Sequence, residues 1–277
     1  MWGADTRHRT YVRTAVKGAP LNHRKRGLDL TEMCGRYTNT RGPEEIGRRF
    51  GVKVPCEAGT RRFNLAPPEQ VLAIVAPQRT SEARMLRWGL VPPWARSLET
   101  THKMINARSE TVTVRPAYRD LIPRASRRAL MTADGYFEWL RPERYGERRQ
   151  PFYFQVDSGE PFAFAALWTP AKIGRDWVHS CSLLTCDPAS NRVASAIHNR
   201  MPVILADRDA QQAWLDQSVG AAEALALCGP LPAERLSARA ANPAMNRPGV
   251  PEGPELLIAA SPELCLDRAR VGRVGDV

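Results

Sequence analysis

Seven apolar segments of this chain have the length and residue types of β-strands: residues 71–75, 85–90, 129–132, 152–156, 162–168, 182–185 and 201–205. They follow one another without regular helices between them. Parallel neighbours need a crossover of a dozen or more residues, usually helical, whereas antiparallel ones need only a turn. The expectation is an α+β fold with a largely antiparallel, barrel-like sheet core and short flanking helices, rather than a doubly wound sheet. Helices are expected at 44–50, capped by Thr40, and at 189–197 and 209–217. From about Asn242 the chain is rich in Pro and Gly and is expected to wrap the surface.

With 277 residues, 43% of them hydrophobic, the chain can bury a sizeable core. It has no internal repeat. Residues 1–32 carry seven Lys and Arg against three acids and contain no apolar run, which excludes a secretory signal and a membrane span there. Residues 1–33 are expected to be a disordered extension that is removed, or a stretch never translated if Met33 is the true start. Residues 34–230 are expected to form the core. Residues 231–277 are expected to pack on it in part and end flexibly. The net charge of +11 and pI of about 9.8 suit a polyanionic partner such as nucleic acid, though a solvated basic surface would give the same balance. The six cysteines form no Cys-x-x-Cys pair, and no His-x-x-x-His accompanies them, so no zinc site is expected. Cys181 and Cys186 are expected on one buried strand.

Five clusters bear chemistry. Met33-Cys34-Gly35-Arg36-Tyr37 would leave Cys34 at the amino terminus once Met33 is removed. Its amine, titrating near roughly 7.7–8.0, could condense with an aldehyde and its thiol could close a thiazolidine ring. A buried cysteine opening a strand is the plainer alternative. Asn106-Ala107-Arg108-Ser109-Glu110 gathers an amide, a guanidinium and a carboxylate, as a polar loop also would. Glu138 lies between Phe137 and Trp139; a carboxylate desolvated by aromatics can move protons near neutrality, whereas strand alternation could equally turn it to solvent. His198, in Ile197-His198-Asn199-Arg200-Met201-Pro202, stands at a helix-to-strand junction and could act as a proton donor or a structural hydrogen-bonder. Arg87-Trp88-Gly89-Leu90-Val91-Pro92-Pro93-Trp94 combines phosphate-binding and base-stacking side chains, the pattern of a single-strand binder, or of core tryptophans.

Together with Phe63-Asn64-Leu65-Ala66-Pro67 and His198-Asn199-Arg200-Met201-Pro202-Val203-Ile204-Leu205, these motifs stand in the order and spacing of one family. From Met33 to about residue 217 the chain resembles the SOS-response-associated peptidase (SRAP) family of abasic-site processing proteins. The match is weaker at Asn242-Pro243 and at Gly253-Pro254-Glu255-Leu256. The resemblance implies a single SRAP-like domain that recognises abasic sites in single-stranded DNA and attaches to them through a terminal cysteine. It implies Cys34, Asn106, Glu138 and His198 as catalytic residues, the same set serving self-cleavage before Cys34. Candidate DNA contacts are Arg36, Asn64, Arg87, Trp88, Trp94, Arg108 and Arg200. No cofactor, metal or membrane partner is implied, and a cytoplasmic, nucleoid-associated monomer is expected. The chain departs from the family pattern at Met131-Thr132 and at Trp168-Thr169, and Cys34 does not stand at the terminus. Two other classes remain open: a cysteine peptidase acting on other proteins through Cys34, His198 and Glu138, and a non-catalytic single-strand binder.

Overall fold

The computed structural model describes residues 35–59, 61–99, 101–140, 149–156, 158–246 and 252–258. The expectations for residues 1–33, for Cys34 and for the end of the tail lie outside them.

The strands among the described residues are β1 (Arg36–Asn39), β2 (Arg62–Leu65), β3 (Gln70–Val75), β4 (Glu82–Trp88), β5 (Asn106–Arg108), β6 (Arg128–Ala133) and β7 (Gly135–Leu140). They continue with β8 (Gln150–Val156), β9 (Phe162–Ile173), β10 (Asp176–Cys186), β11 (Met201–Pro202), β12 (Ile204–Leu205) and β13 (Leu236–Ala240). The helices are α1 (Pro43–Phe50), α2 (Arg192–Ser195), α3 (Arg208–Leu215) and α4 (Ala221–Ala226).

Strands β10, β4, β3, β6 and β9 pair in that order, and β9 pairs back onto β10 to close a ring. Closure satisfies backbone groups that an open sheet would leave at its edges. A five-stranded ring is narrow, and Ala73, Ala129 and Ala166, all fully buried, keep side chains small where β3, β6 and β9 meet. Strands β5 and β11 add to β10, and β12 adds to β9. A second sheet runs β13-β8-β7-β1-β2. Every pairing is antiparallel except those of β10 with β4 and with β5, so the expected α+β class with an antiparallel, barrel-like core holds.

Aromatic side chains join the sheets. Tyr37 of β1 meets Trp88 of β4 edge-on at 5.4 Å and Phe164 of β9 at 5.7 Å. Tyr136 of β7 stacks on Phe154 at 4.7 Å and reaches Phe164 edge-on. Offset and edge-on pairs of this kind stabilise by about 0.5–1.5 kcal/mol beyond their buried area. They seat β1 and β7 against the barrel.

Three local expectations change. Helix α1 begins after Gly42 with Pro43 in its first turn, where the missing N–H costs nothing. Thr40 does not cap it; its N–H donates to Asp134 at 2.8 Å instead. The helix expected over 189–197 shortens to α2, because the Asn191 side chain accepts from the Val193 and Ala194 N–H groups and sets the start there. The strand expected over 201–205 divides at Val203, pairing first with β10 and then with β9. The tail after Asn242 forms two short 3-10 turns, Pro243–Asn246 and Pro254–Leu257. Their Met245 and Leu256 pack with Phe137 and Tyr153.

Candidate active site

Strand β1 begins two residues after Cys34 and pairs antiparallel with β7, Arg36 opposite Phe137 and Tyr37 opposite Tyr136. This register brings the amino end of β1 to the part of β7 that carries Glu138. Glu138 is only 3% exposed, so the solvent-facing alternative is overturned.

A buried acid fixes this register. Asp134 accepts from the Thr38 hydroxyl at 2.5 Å and, through its other oxygen, from the N–H and hydroxyl of Thr40. The Thr38 hydroxyl lies 2.9 Å from that of Tyr153. Burial pushes the Tyr153 phenol well above its usual range, so it remains a donor. At Gly135 a β-carbon would stand 2.1 Å from the Tyr153 oxygen, which requires glycine between the two contacts. The Asp134-Gly135 pair before an apolar strand is the local sequence signal for this anchor.

Asn106 arrives on β5, parallel to β10, with Asn106 opposite Leu183 and Arg108 opposite Thr185. It is 8% exposed. The Trp88 indole N–H donates to the Ile105 carbonyl at 2.9 Å and so holds the residue before Asn106. Because Trp88 also packs on Tyr37, a single indole links β1 to β5.

His198 follows α2, its backbone N–H bonded to the Ala194 carbonyl. The imidazole is 7% exposed, and its Nδ1 accepts the Arg200 N–H at 3.1 Å. The Arg200 carbonyl lies 3.2 Å from the same Nδ1, so either tautomer has a partner on that side. Nε2 is buried with no partner among the described residues. His198 stands three residues before β11, which pairs with the end of β10 that also receives β5.

The structure separates the candidate DNA contacts. Arg36 donates to Asn64 Oδ1 at 2.7 Å, so Asn64 orients it. Arg87 donates to the Gly89 carbonyl at 3.1 Å. Burial lowers the pKa of both guanidinium groups, which nonetheless stay charged. Arg108 is exposed, and Trp94 is 58% exposed. One expectation is corrected. Trp88 is 1% exposed, its face against Tyr37 and its N–H on Ile105, so it is a core residue and offers no stacking platform. Arg200 grips Glu110 through two bonds and reaches the Thr185 carbonyl at 2.6 Å, while its Nε has no partner among the described residues. Glu110 and Thr185 thus support the site, but nothing local in the sequence marks Thr185. Among the described residues no cluster of three or more His, Cys, Asp or Glu could hold a metal ion, and no helix is long and apolar enough to cross a membrane.

Comparison with known proteins agrees with the motifs. Abasic site processing protein YoaM of Bacillus subtilis (strain 168) is 35% identical over 187 residues, covering 66% of this chain and 79% of that protein. Abasic site processing protein YedK of Escherichia coli (strain K12) is 28% identical over 213 residues, covering 74% and 90%. A crystal structure of a protein from Bacteroides thetaiotaomicron shares the fold with a TM-score of 0.72 at 23% identity, covering 82% of this chain and all of that one. The model of the family described as SOS response associated peptidase (SRAP) matches residues 33–248. With that much of its length matched, the chain belongs to the SRAP family.

Proposed function

We propose that this protein processes abasic sites in single-stranded DNA by covalent capture at Cys34, shielding the lesion during the response to DNA damage. The observation that carries this reading is a buried carboxyl beside the start of β1, in a fold that also buries the His198 imidazole. Glu138 lies on the strand beside β1, and His198 presents an Nε2 that no described residue engages. Cys34 precedes β1 by two residues, a covalent span of at most about 7 Å.

The chemistry follows from the aminothiol. An opened abasic sugar carries an aldehyde. The α-amine of Cys34 adds to it, and loss of one water gives an imine. The thiol then adds to the imine carbon and its proton passes to nitrogen, completing the thiazolidine. Glu138 serves as the proton shuttle for dehydration and ring closure. His198 donates from Nε2 to the sugar oxygen as the ring opens, and Asn106 orients the amine or the sugar. Arg36, Arg87 and Arg108 hold phosphates, and Trp94 stacks on an unpaired base. The amine must be free, because an amide nitrogen is delocalised and forms no imine. The reactive chain therefore begins at Cys34, after hydrolysis of the 33–34 bond or removal of Met33.

The test is to incubate protein beginning at Cys34 with a single-stranded oligonucleotide bearing one abasic site and to resolve the products under denaturing conditions. A resistant adduct is expected, absent in Cys34→Ala while non-covalent binding persists. An equal adduct yield from Cys34→Ala would overturn the mechanism.

A further inference from the structure

A second cluster of donors gathers around Trp168. Trp168 of β9 is 3% exposed, and its indole N–H is buried without an acceptor among the described residues. A buried, unmet N–H costs roughly 1–3 kcal/mol. The surroundings of this ring are cationic. Arg84 of β4 and Arg127, just before β6, each place a guanidinium carbon 5.3 Å from the Trp168 ring centre. His179 of β10 meets the same ring edge-on at 6.0 Å.

These charges are only partly balanced. Glu82 pairs with Arg84. Arg127 makes no ion pair or side-chain hydrogen bond among the described residues, and Arg124 repels it. Burial first, and then Arg84 and Arg127, hold the His179 imidazole below its usual pKa, so the region disfavours further positive charge. The β9–β10 register sets Trp168 opposite Cys181, Pro170 opposite His179 and Lys172 opposite Trp177. Opposite residues share a face and alternate residues return to it, so Lys172 and the 66% exposed Trp177 extend the patch toward solvent.

We propose that this cluster is a binding site for a phosphate group, whose oxygens accept from the Trp168 indole N–H and from the Arg127 and Arg84 guanidinium groups. Two guanidinium groups and an unmet N–H on one side chain are the donors that a phosphate oxyanion takes. Trp168 lies opposite Cys181, two and four residues along β10 from Leu183 and Thr185, roughly 7 and 13 Å at strand spacing. None of the three donors takes part in the proposed reaction with abasic DNA, so the proposal does not depend on that reading. The phosphate could belong to a nucleic-acid backbone or be free in solution.

The experiment follows the Trp168 indole N–H signal by NMR in the full chain while inorganic phosphate is added at constant ionic strength. A saturable shift is expected, with affinity weakened roughly tenfold in Arg127→Gln, the size of losing one charged hydrogen bond. Arg84→Gln serves as a second variant should Arg127→Gln fold poorly. Replacing phosphate by an oligonucleotide without an abasic site distinguishes the sources. Saturation of the same signal at lower concentration assigns the site to a nucleic-acid backbone, and a response to phosphate alone assigns it to the free anion. No saturable shift with either ligand, an equal shift with chloride, or unchanged affinity in both variants would overturn the proposal. Loss of abasic adduct formation would instead strike the function proposed for Cys34 and leave this titration unaltered.

Discussion

Arg200 holds Glu110 through two N–H···O bonds, Nη1 to Oε1 at 2.7 Å and Nη2 to Oε2 at 2.9 Å. Glu110 follows β5, the strand of Asn106, and Arg200 follows His198 by two residues. The pair therefore ties the two arms of the site together across the end of β10. A forked guanidinium matches a carboxylate in a way that an ammonium cannot.

Arg200→Lys is accordingly expected to behave as a loss of function. Glu110 is half exposed and can rehydrate, so the stability cost should stay near roughly 1–2 kcal/mol. Adduct formation should slow more than DNA affinity falls, because the contact positions His198. Single-turnover crosslinking alongside equilibrium binding checks this, and equal losses in both would count against a positioning role.

The same pair predicts an acid response. The Arg200 hydrogen bond holds the Glu110 carboxyl below its usual pKa, against the opposing effect of burial. A depressed folded pKa contributes stability that is complete above the ordinary carboxylate range. That contribution is lost as pH falls below 4.5 toward the folded value. Glu110→Gln should therefore flatten this part of the acid limb while leaving the shape near neutrality unchanged. Urea unfolding between pH 3 and 7 measures it.

Glu138→Gln keeps size and hydrogen-bonding shape but removes proton transfer. Crosslinking should slow by roughly 10²-fold or more, with little change in non-covalent affinity. An unaltered rate on abasic DNA would remove Glu138 from the proposed mechanism.

The tryptophans at 88 and 94 should give opposite results. Trp94→Ala should weaken single-strand binding by about tenfold, the scale of one lost base–aromatic stack, and barely change thermal stability. Trp88→Ala should lower stability by roughly 3–5 kcal/mol, because it removes the packing on Tyr37 and the hold on Ile105. Melting curves and binding isotherms on both variants separate the roles.

Thiol reactivity offers a check on burial. Burial pushes Cys186 and Cys228 up to about 12 and Cys181 higher still, whereas Cys56 is exposed. At pH 8, among the described cysteines, Cys56 should label at least roughly 10²-fold faster than the other three, since the thiolate is the nucleophile. Mass spectrometry of labelled peptides reads the order, and early labelling of Cys181 would contradict the packed barrel.

Much of the framework was legible locally. The runs that became β3, β6, β8 and β9 are apolar, rich in β-formers and bounded by polar residues or breakers. Cys181 and Cys186 were expected on one buried strand and lie on β10. Strand β5 was not legible. It has only three residues, and it exists because β10 supplies a partner 77 residues away along the chain, Leu183 opposite Asn106.

For the site, the residue types at 106, 138 and 198 carry their chemistry in the sequence itself, since an amide, a carboxylate and an imidazole have the same reactive atoms in any fold. Their surroundings do not. The flanking residues of Glu138 permitted burial or exposure, and the pairing of β7 between β1 and β8 decided for burial. Trp88 and Trp94 stand six residues apart in one motif, yet one fills the core and the other faces solvent. Nothing local marks Arg200 as the partner of Glu110 and Thr185; the fold sets them against it. A local pattern records what a segment prefers and which atoms it carries. Burial, pairing and charge compensation depend on which distant segments arrive beside it, and only the tertiary structure brings those together.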